Sequence, residues 1–193
     1  IFAQGKEAPV PLLIGSNVQE IVPKNQPAEW TKHLIETAVG SKEALKLETI
    51  YAMPSTNPLE GDMGARFQTD RDFRCPVRQV ATWHASHGFP TFVYQFDRSA
   101  GSDKPAQHSS ELAFVFGYFP SHKETSADDT VANMLQTYWV AFARIGKPEA
   151  TGLPRWRRFS ATSGDYIHFS STTTMPIAAT GLGGAPCTIL TDA

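Results

Sequence analysis

Charge of one sign, cysteine and long apolar runs are all scarce in this chain, and each scarcity removes a class of function. Across 193 residues the 17 Lys and Arg nearly balance the 19 Asp and Glu, for a formal net charge of -2. Lysine and arginine are scattered apart from Arg155-Trp156-Arg157-Arg158, so no basic face for nucleic acid is expected. No apolar run approaches the roughly 18 residues of a membrane span, and no charged-then-apolar leader precedes Gly5. The two cysteines, Cys75 and Cys187, lie far apart and fit no metal spacing. They are either separate buried thiols or one long-range disulfide, and a disulfide would imply an oxidising compartment. There is no internal repeat and no linker, so residues 1–193 are expected to belong to a single domain. The chain starts at Ile1 and is in a strand-like run by its tenth residue, which suggests that an upstream part of the fold is missing.

The apolar pattern alternates between strand and helix signals. Val10 to Ile14, with Pro9 and Pro11 at its start and Gly15 at its end, reads as a buried strand delivering the loop Ser16 to Glu20. Pro27 to Val39 reads as a helix stopped by Gly40, and Ser41 can cap a second that runs to Pro54. Ser55 to Gly64 has loop chemistry. Thr69-Asp70 can cap a helix from Arg71 to Ser86, with Phe73, Val77, Val80, Ala81 and His84 at helical spacing. Phe89 to Phe96 has the composition of a central strand, and a polar loop then leads to His108. Ser126 to Asp129 resembles a capping box, and Val131, Met134, Leu135, Tyr138, Phe142 and Ile145 form an apolar stripe up to Gly146. Asp165 to Phe169 alternates as an edge strand, and Ser170 to Thr180 is a weakly apolar tail.

Two residues in this order carry chemistry. Glu20 lies just past the first strand and His108 past the central one, with a helical insertion between them. In open parallel sheets the carboxyl ends of strands are where catalytic groups collect. A carboxylate can hold one imidazole nitrogen while the other faces a nucleophile. Strand, acid, insertion, strand, histidine matches the last two members of a triad read in the order Ser, Glu, His. By spacing alone Glu20 reads more readily as a solvated loop acid than as a catalytic one.

The segments themselves say more. Pro11-Leu12-Leu13-Ile14-Gly15-Ser16-Asn17-Val18-Gln19-Glu20 resembles the acid-bearing segment of type B carboxylesterases, the cholinesterase-like serine esterases. His108-Ser109-Ser110-Glu111-Leu112-Ala113-Phe114-Val115-Phe116-Gly117 resembles their histidine segment. The likeness continues through Thr69-Asp70-Arg71-Asp72-Phe73, Phe92-Val93-Tyr94-Gln95-Phe96, Tyr138 to Pro148 and Leu153-Pro154-Arg155-Trp156, in the family order over most of the chain.

The resemblance implies an α/β-hydrolase fold of which this chain is the C-terminal portion, a mostly parallel sheet with a helical insertion, incomplete without its N-terminal part. It implies a carboxylic ester as substrate, no cofactor and no metal, with Glu20 as the triad acid, His108 as the general base and Glu111 as a supporting acid. Many relatives bridge a cysteine before the equivalent of Pro76 to one near the C-terminus, which assigns Cys75 and Cys187 to one disulfide and points to a secreted or periplasmic protein. Some positions depart from the family. Ile21 stands where a small residue usually follows the acid, and Pro23 and Lys24 replace the gorge aromatics of cholinesterases, which argues against choline esters.

The nucleophile of that family sits in a Gly-x-Ser-x-Gly elbow after a glycine-rich oxyanion loop. Neither occurs in this chain. The nearest imitation is His84-Ala85-Ser86-His87-Gly88, where Ser86 falls at a predicted helix end and histidine replaces the first glycine. His84 and His87, even with Cys75, lack a further ligand at metal spacing, and His33, His122 and His168 show no partner pattern. The expectation is an esterase fragment, inactive alone, whose serine lies outside these residues. The rival is a non-catalytic relative used for adhesion or binding.

Overall fold

Proline decides where the first strand begins. Pro11 has no N–H to give a ladder, and the first bond toward the sheet runs from Leu12 N to Pro90 O at 2.8 Å. In the computed structural model, which describes residues 1–22, 26–121 and 123–192, β1 spans Leu12–Asn17. The strand expected from Val10 to Ile14 is thus shifted toward the C-terminus, because Ser16 and Asn17, polar but buried, stay in register with Gln95 and Phe96. Pro23, Lys24 and His122 lie outside the described residues.

Helix α1 spans Ala28–Ala52 and bends at Gly40, whose φ of 76° and ψ of 161° break the helical path where a stop was expected. Next, α2 (Met63–Thr69) is capped by Asp62, whose carboxylate accepts the Ala65 N–H at 2.9 Å. The helical path continues through one wide turn, Asp70–Arg74, into α3 (Cys75–Ser86). This corrects the cap expected at Thr69-Asp70. Thr69 is fully buried inside the run, and Asp70 turns its carboxylate to the Tyr51 hydroxyl at 2.8 Å and to Arg74. The residues expected to be loop up to Gly64 therefore include the start of a helix.

Strand β2 (Thr91–Phe96) is buried along its whole length. It is followed by α4 (Ser110–Phe116), α5 (Ser126–Ile145), β3 (Tyr166–Phe169), β4 (Ile177–Ala179) and α6 (Gly184–Asp192). The sheet order is β1-β2-β3-β4, with β1, β2 and β3 parallel and β4 antiparallel. β3 is therefore not an edge. β4 and α6 arise from a Ser/Thr- and Gly-rich tail with no clear apolar period.

Alternation along β2 places its side chains on the two faces of the sheet. Phe92, Tyr94 and Phe96 join Phe114 of α4 and Leu135 and Tyr138 of α5 in the main core, with Trp156, Ile167 and Phe169. Val93 faces the other way, against Ala81 of α3, Phe159 and Leu182. Gly15 is required where β1 crosses Tyr94, because a Cβ there would come within 2.4 Å of the ring.

The start of α5 depends on one carboxylate. Asp128 forms a capping box with Thr125, accepts the Gly101 N–H at 2.9 Å and pairs with Arg98 at 3.0 Å. Burial alone would raise its pKa, but bonds from the Thr125 and Gly101 N–H groups, the Thr125 hydroxyl and Arg98 outweigh this and lower it. A carboxyl that binds its proton more weakly folded than unfolded contributes its stability in full above about pH 4, and loses it as pH falls through the lowered folded value. Asp128→Ala is expected to cost about 2 to 4 kcal/mol at pH 7. In urea unfolding, its deficit relative to the unaltered chain should shrink by about pH 3.

Candidate active site

The candidate site forms where β1 and β2 end side by side. Past β1, Val18 N bonds to Phe96 O at 2.9 Å and Gln19 N to Ala106 O at 3.1 Å. Arg74 adds a bond from its guanidinium to Val18 O at 3.0 Å. These bonds fix the turn that carries Glu20. The Glu20 side chain is only 4% exposed, and its carboxylate has directed partners. Oε1 accepts the Asn17 backbone N–H at 2.6 Å and Asn17 Nδ2 at 3.3 Å. Oε2 lies 2.9 Å from His108 Nδ1.

His108 is held from the other side by a tight turn. Gln107 N donates to Ser110 Oγ at 2.9 Å, and Ser110 N to Gln107 O at 2.9 Å. Ser109 has φ 68°, the one positive φ outside glycine among the described residues. Such a conformation costs about 1 kcal/mol or more for a side-chain-bearing residue, and here it falls immediately after the histidine. The Phe73 ring lies 5.1 Å from the imidazole, while 64% of the His108 side chain stays open to solvent. A carboxylate can only accept, so Nδ1 carries the hydrogen in the pair with Glu20. The neutral ring then has its lone pair on Nε2, free to take a proton.

Glu111, in the first turn of α4, comes to the same place through Asn17, whose Nδ2 donates to its Oε2 at 2.7 Å. The hydroxyl of Tyr94 has its pKa pushed up by burial and by the charges of Glu111 and Glu20, so it stays protonated beside them. In the sequence Asn17 stands only within the acid-bearing segment and Phe73 only on an apolar helical stripe, with no site role for either. Each acts through a contact across the fold that no local spacing encodes.

Other candidates fall elsewhere. Ser86 ends α3 before β2 begins, whereas His108 follows the end of β2, and a six-residue strand spans about 20 Å. The Ser86 hydroxyl donates to Trp83 O at 2.7 Å. His84 is buried with Nε2 2.8 Å from Val10 O and Nδ1 3.2 Å from Glu7, which His87 also approaches at 3.4 Å. Cys75 is bound to Cys187 in a disulfide. His168, without a partner pattern in sequence, pairs through Nε2 with Asp97 at 2.7 Å. Asp97 also accepts from Gln95 at 2.9 Å and Asn57 at 2.9 Å. This second pair forms because β3 lies in register beside β2, with His168 opposite Gln95.

Comparison with known proteins places these features. The sequence profile described as the carboxylesterase family matches residues 22–182, which takes in His108 and Glu111 and begins just past Glu20. Carboxylesterase 4A of Bos taurus is 27% identical over 198 aligned positions, covering 90% of this chain and 36% of the relative. Cocaine esterase of Homo sapiens is 28% identical, covering 82% of this chain and 33% of the relative. The chain thus spans about a third of the length of these relatives. A solved structure of PNB esterase superimposes with a TM-score of 0.75 at 21% identity, over 98% of this chain and 40% of that one. The architecture is accordingly part of an α/β-hydrolase fold. No helix among the described residues is long and apolar enough to cross a membrane.

Proposed function

Because this chain belongs to the carboxylesterase family, we propose that it supplies the acid and the base of a Ser-Glu-His triad for carboxylic ester hydrolysis, Glu20 and His108, with the serine outside residues 1–193. The observation that carries this reading is the Glu20–His108 contact at 2.9 Å between a buried carboxylate and a solvent-open imidazole. In this assignment His108 Nε2 takes the serine hydroxyl proton as the oxygen attacks the ester carbonyl. Glu20 holds Nδ1–H and stabilises the imidazolium. The imidazolium then passes its proton to the departing alkoxide, and a water activated by the same nitrogen releases the carboxylic acid and restores the serine.

Residues 1–193 are, on this reading, the C-terminal portion of one hydrolase domain. Among the described residues β1 pairs only with β2, so its outer edge is open to a strand from the N-terminal part, and an unpaired buried edge is a costly surface. The disulfide supports a secreted or periplasmic location.

A polypeptide carrying these residues behind their own upstream sequence is expected to hydrolyse p-nitrophenyl esters, while residues 1–193 alone give no rate above buffer. The serine and the oxyanion donors together supply much of the acceleration. Hydrolysis by residues 1–193 alone that Ser86→Ala abolishes would place the nucleophile inside this chain. A longer polypeptide that is folded but inert toward these esters would favour the binding role instead.

A further inference from the structure

We infer that Asn17 is a positioning residue that couples Glu111 to the triad acid, so that His108 is oriented by a relay of two carboxylates joined by one amide. The inference rests on the assignment of Glu20 and His108 above. Three observations carry it. Asn17 Nδ2 has two hydrogens and two carboxylates within reach, Glu111 Oε2 at 2.7 Å and Glu20 Oε1 at 3.3 Å. Its backbone N–H holds that same Glu20 oxygen at 2.6 Å, so strand end, acid and amide move as one unit. Lastly, Asn17 Oδ1 is buried without a hydrogen-bond partner among the described residues.

The orphaned oxygen explains the orientation. Flipping the amide would turn Oδ1 toward two anions and remove the one donor between them. The orientation that leaves Oδ1 unpartnered is therefore the one the two carboxylates impose. A single neutral donor between like charges keeps both in place without adding a third charge. It also links the two stretches that flank the histidine, because Glu20 bonds the ring itself and Glu111 lies three residues beyond it at the start of α4. Loss of the bridge frees Glu111 from β1 and leaves Glu20 with one fewer donor.

The test uses the longer, active polypeptide and the variants Asn17→Ala, Glu111→Gln and the double variant, with kcat and KM measured from pH 5 to 9. If the amide carries the coupling, each single change lowers kcat roughly tenfold with KM little altered, and the double variant is no worse than the poorer single. Asn17→Asp retains the shape but adds a negative charge beside the pair, which favours the protonated imidazole, so the acid limb of the pH profile moves to higher pH. Asn17→Ala does not move it in that direction. Additive losses in the double variant, or an acid limb that Asn17→Asp leaves in place, would overturn the inference. Failure of the triad assignment is separately visible, because His108→Ala in the same background would then retain activity.

Discussion

If His108 is the base proposed above, replacing it by alanine in the longer polypeptide is expected to reduce kcat toward p-nitrophenyl butyrate by about six orders of magnitude while leaving the melting temperature nearly unchanged. The two outcomes have different origins. The catalytic loss follows from removing the one side chain that meets the buried acid and also reaches solvent, since nothing else there can carry the serine proton. The stability outcome follows from exposure. Most of the ring is open, and its contacts are the Glu20 carboxylate and the Phe73 ring. After substitution Glu20 still accepts the Asn17 backbone and side-chain donors, so the buried charge is not left without partners. Glu20→Gln should cost about four orders of magnitude in kcat, because an amide facing Nδ1 no longer fixes the tautomer that leaves Nε2 free. Activity kept within a few-fold in His108→Ala would remove His108 from the mechanism.

How far the sequence discloses this site depends on what each residue needs in order to act. β2 is visible from composition, since Phe92 to Phe96 are aromatic and β-branched except for Gln95. α5 is visible from its apolar stripe and the αL glycine that ends it, although its cap is Thr125 rather than Ser126. These are local properties. Glu20 and His108 are only suggestive by position, and resemblance to a family gives them roles. The roles of Asn17, Arg74 and the Asp97–His168 pair are illegible because Asn17 meets Glu111, Arg74 meets Val18 O and Asp97 meets His168 only across elements. Arg74 reaches Val18 O from a turn that sequence punctuation misassigned. There Asp70 resembled a cap, yet burial and a guanidinium partner hold it inside a helix. The tail is opaque in sequence for a different reason. α6 opens Gly184-Ala185-Pro186-Cys187, with little period to detect, and of its residues only Cys187 is buried.

That burial identifies what holds α6 in place and leads to the largest expected effect on stability. Cys187 is fully buried and covalently tied to Cys75, the first residue of α3, across 112 positions. Ile189 and Leu190 are only partly buried, against the cluster formed by α1 and α2. A nine-residue helix that buries so little of its apolar surface, with two glycines before it, has weak reasons of its own to stay folded or docked. The bridge acts mainly by restricting the unfolded chain, and for a loop of this length the chain-entropy relation gives about 4 to 5 kcal/mol. Replacing both cysteines by serine is therefore expected to lower the melting temperature by roughly 8 to 20 °C, at the roughly 2 to 4 °C per kcal/mol expected for a chain of this size. Hydrogen exchange should accelerate first across α6 and next at the start of α3, while β2 retains its protection. Thiol labelling of the unaltered chain, denatured without reductant, should find no free thiol. A double-serine variant that melts within 2 °C of the parent would show that α6 is held by packing rather than by its covalent tie.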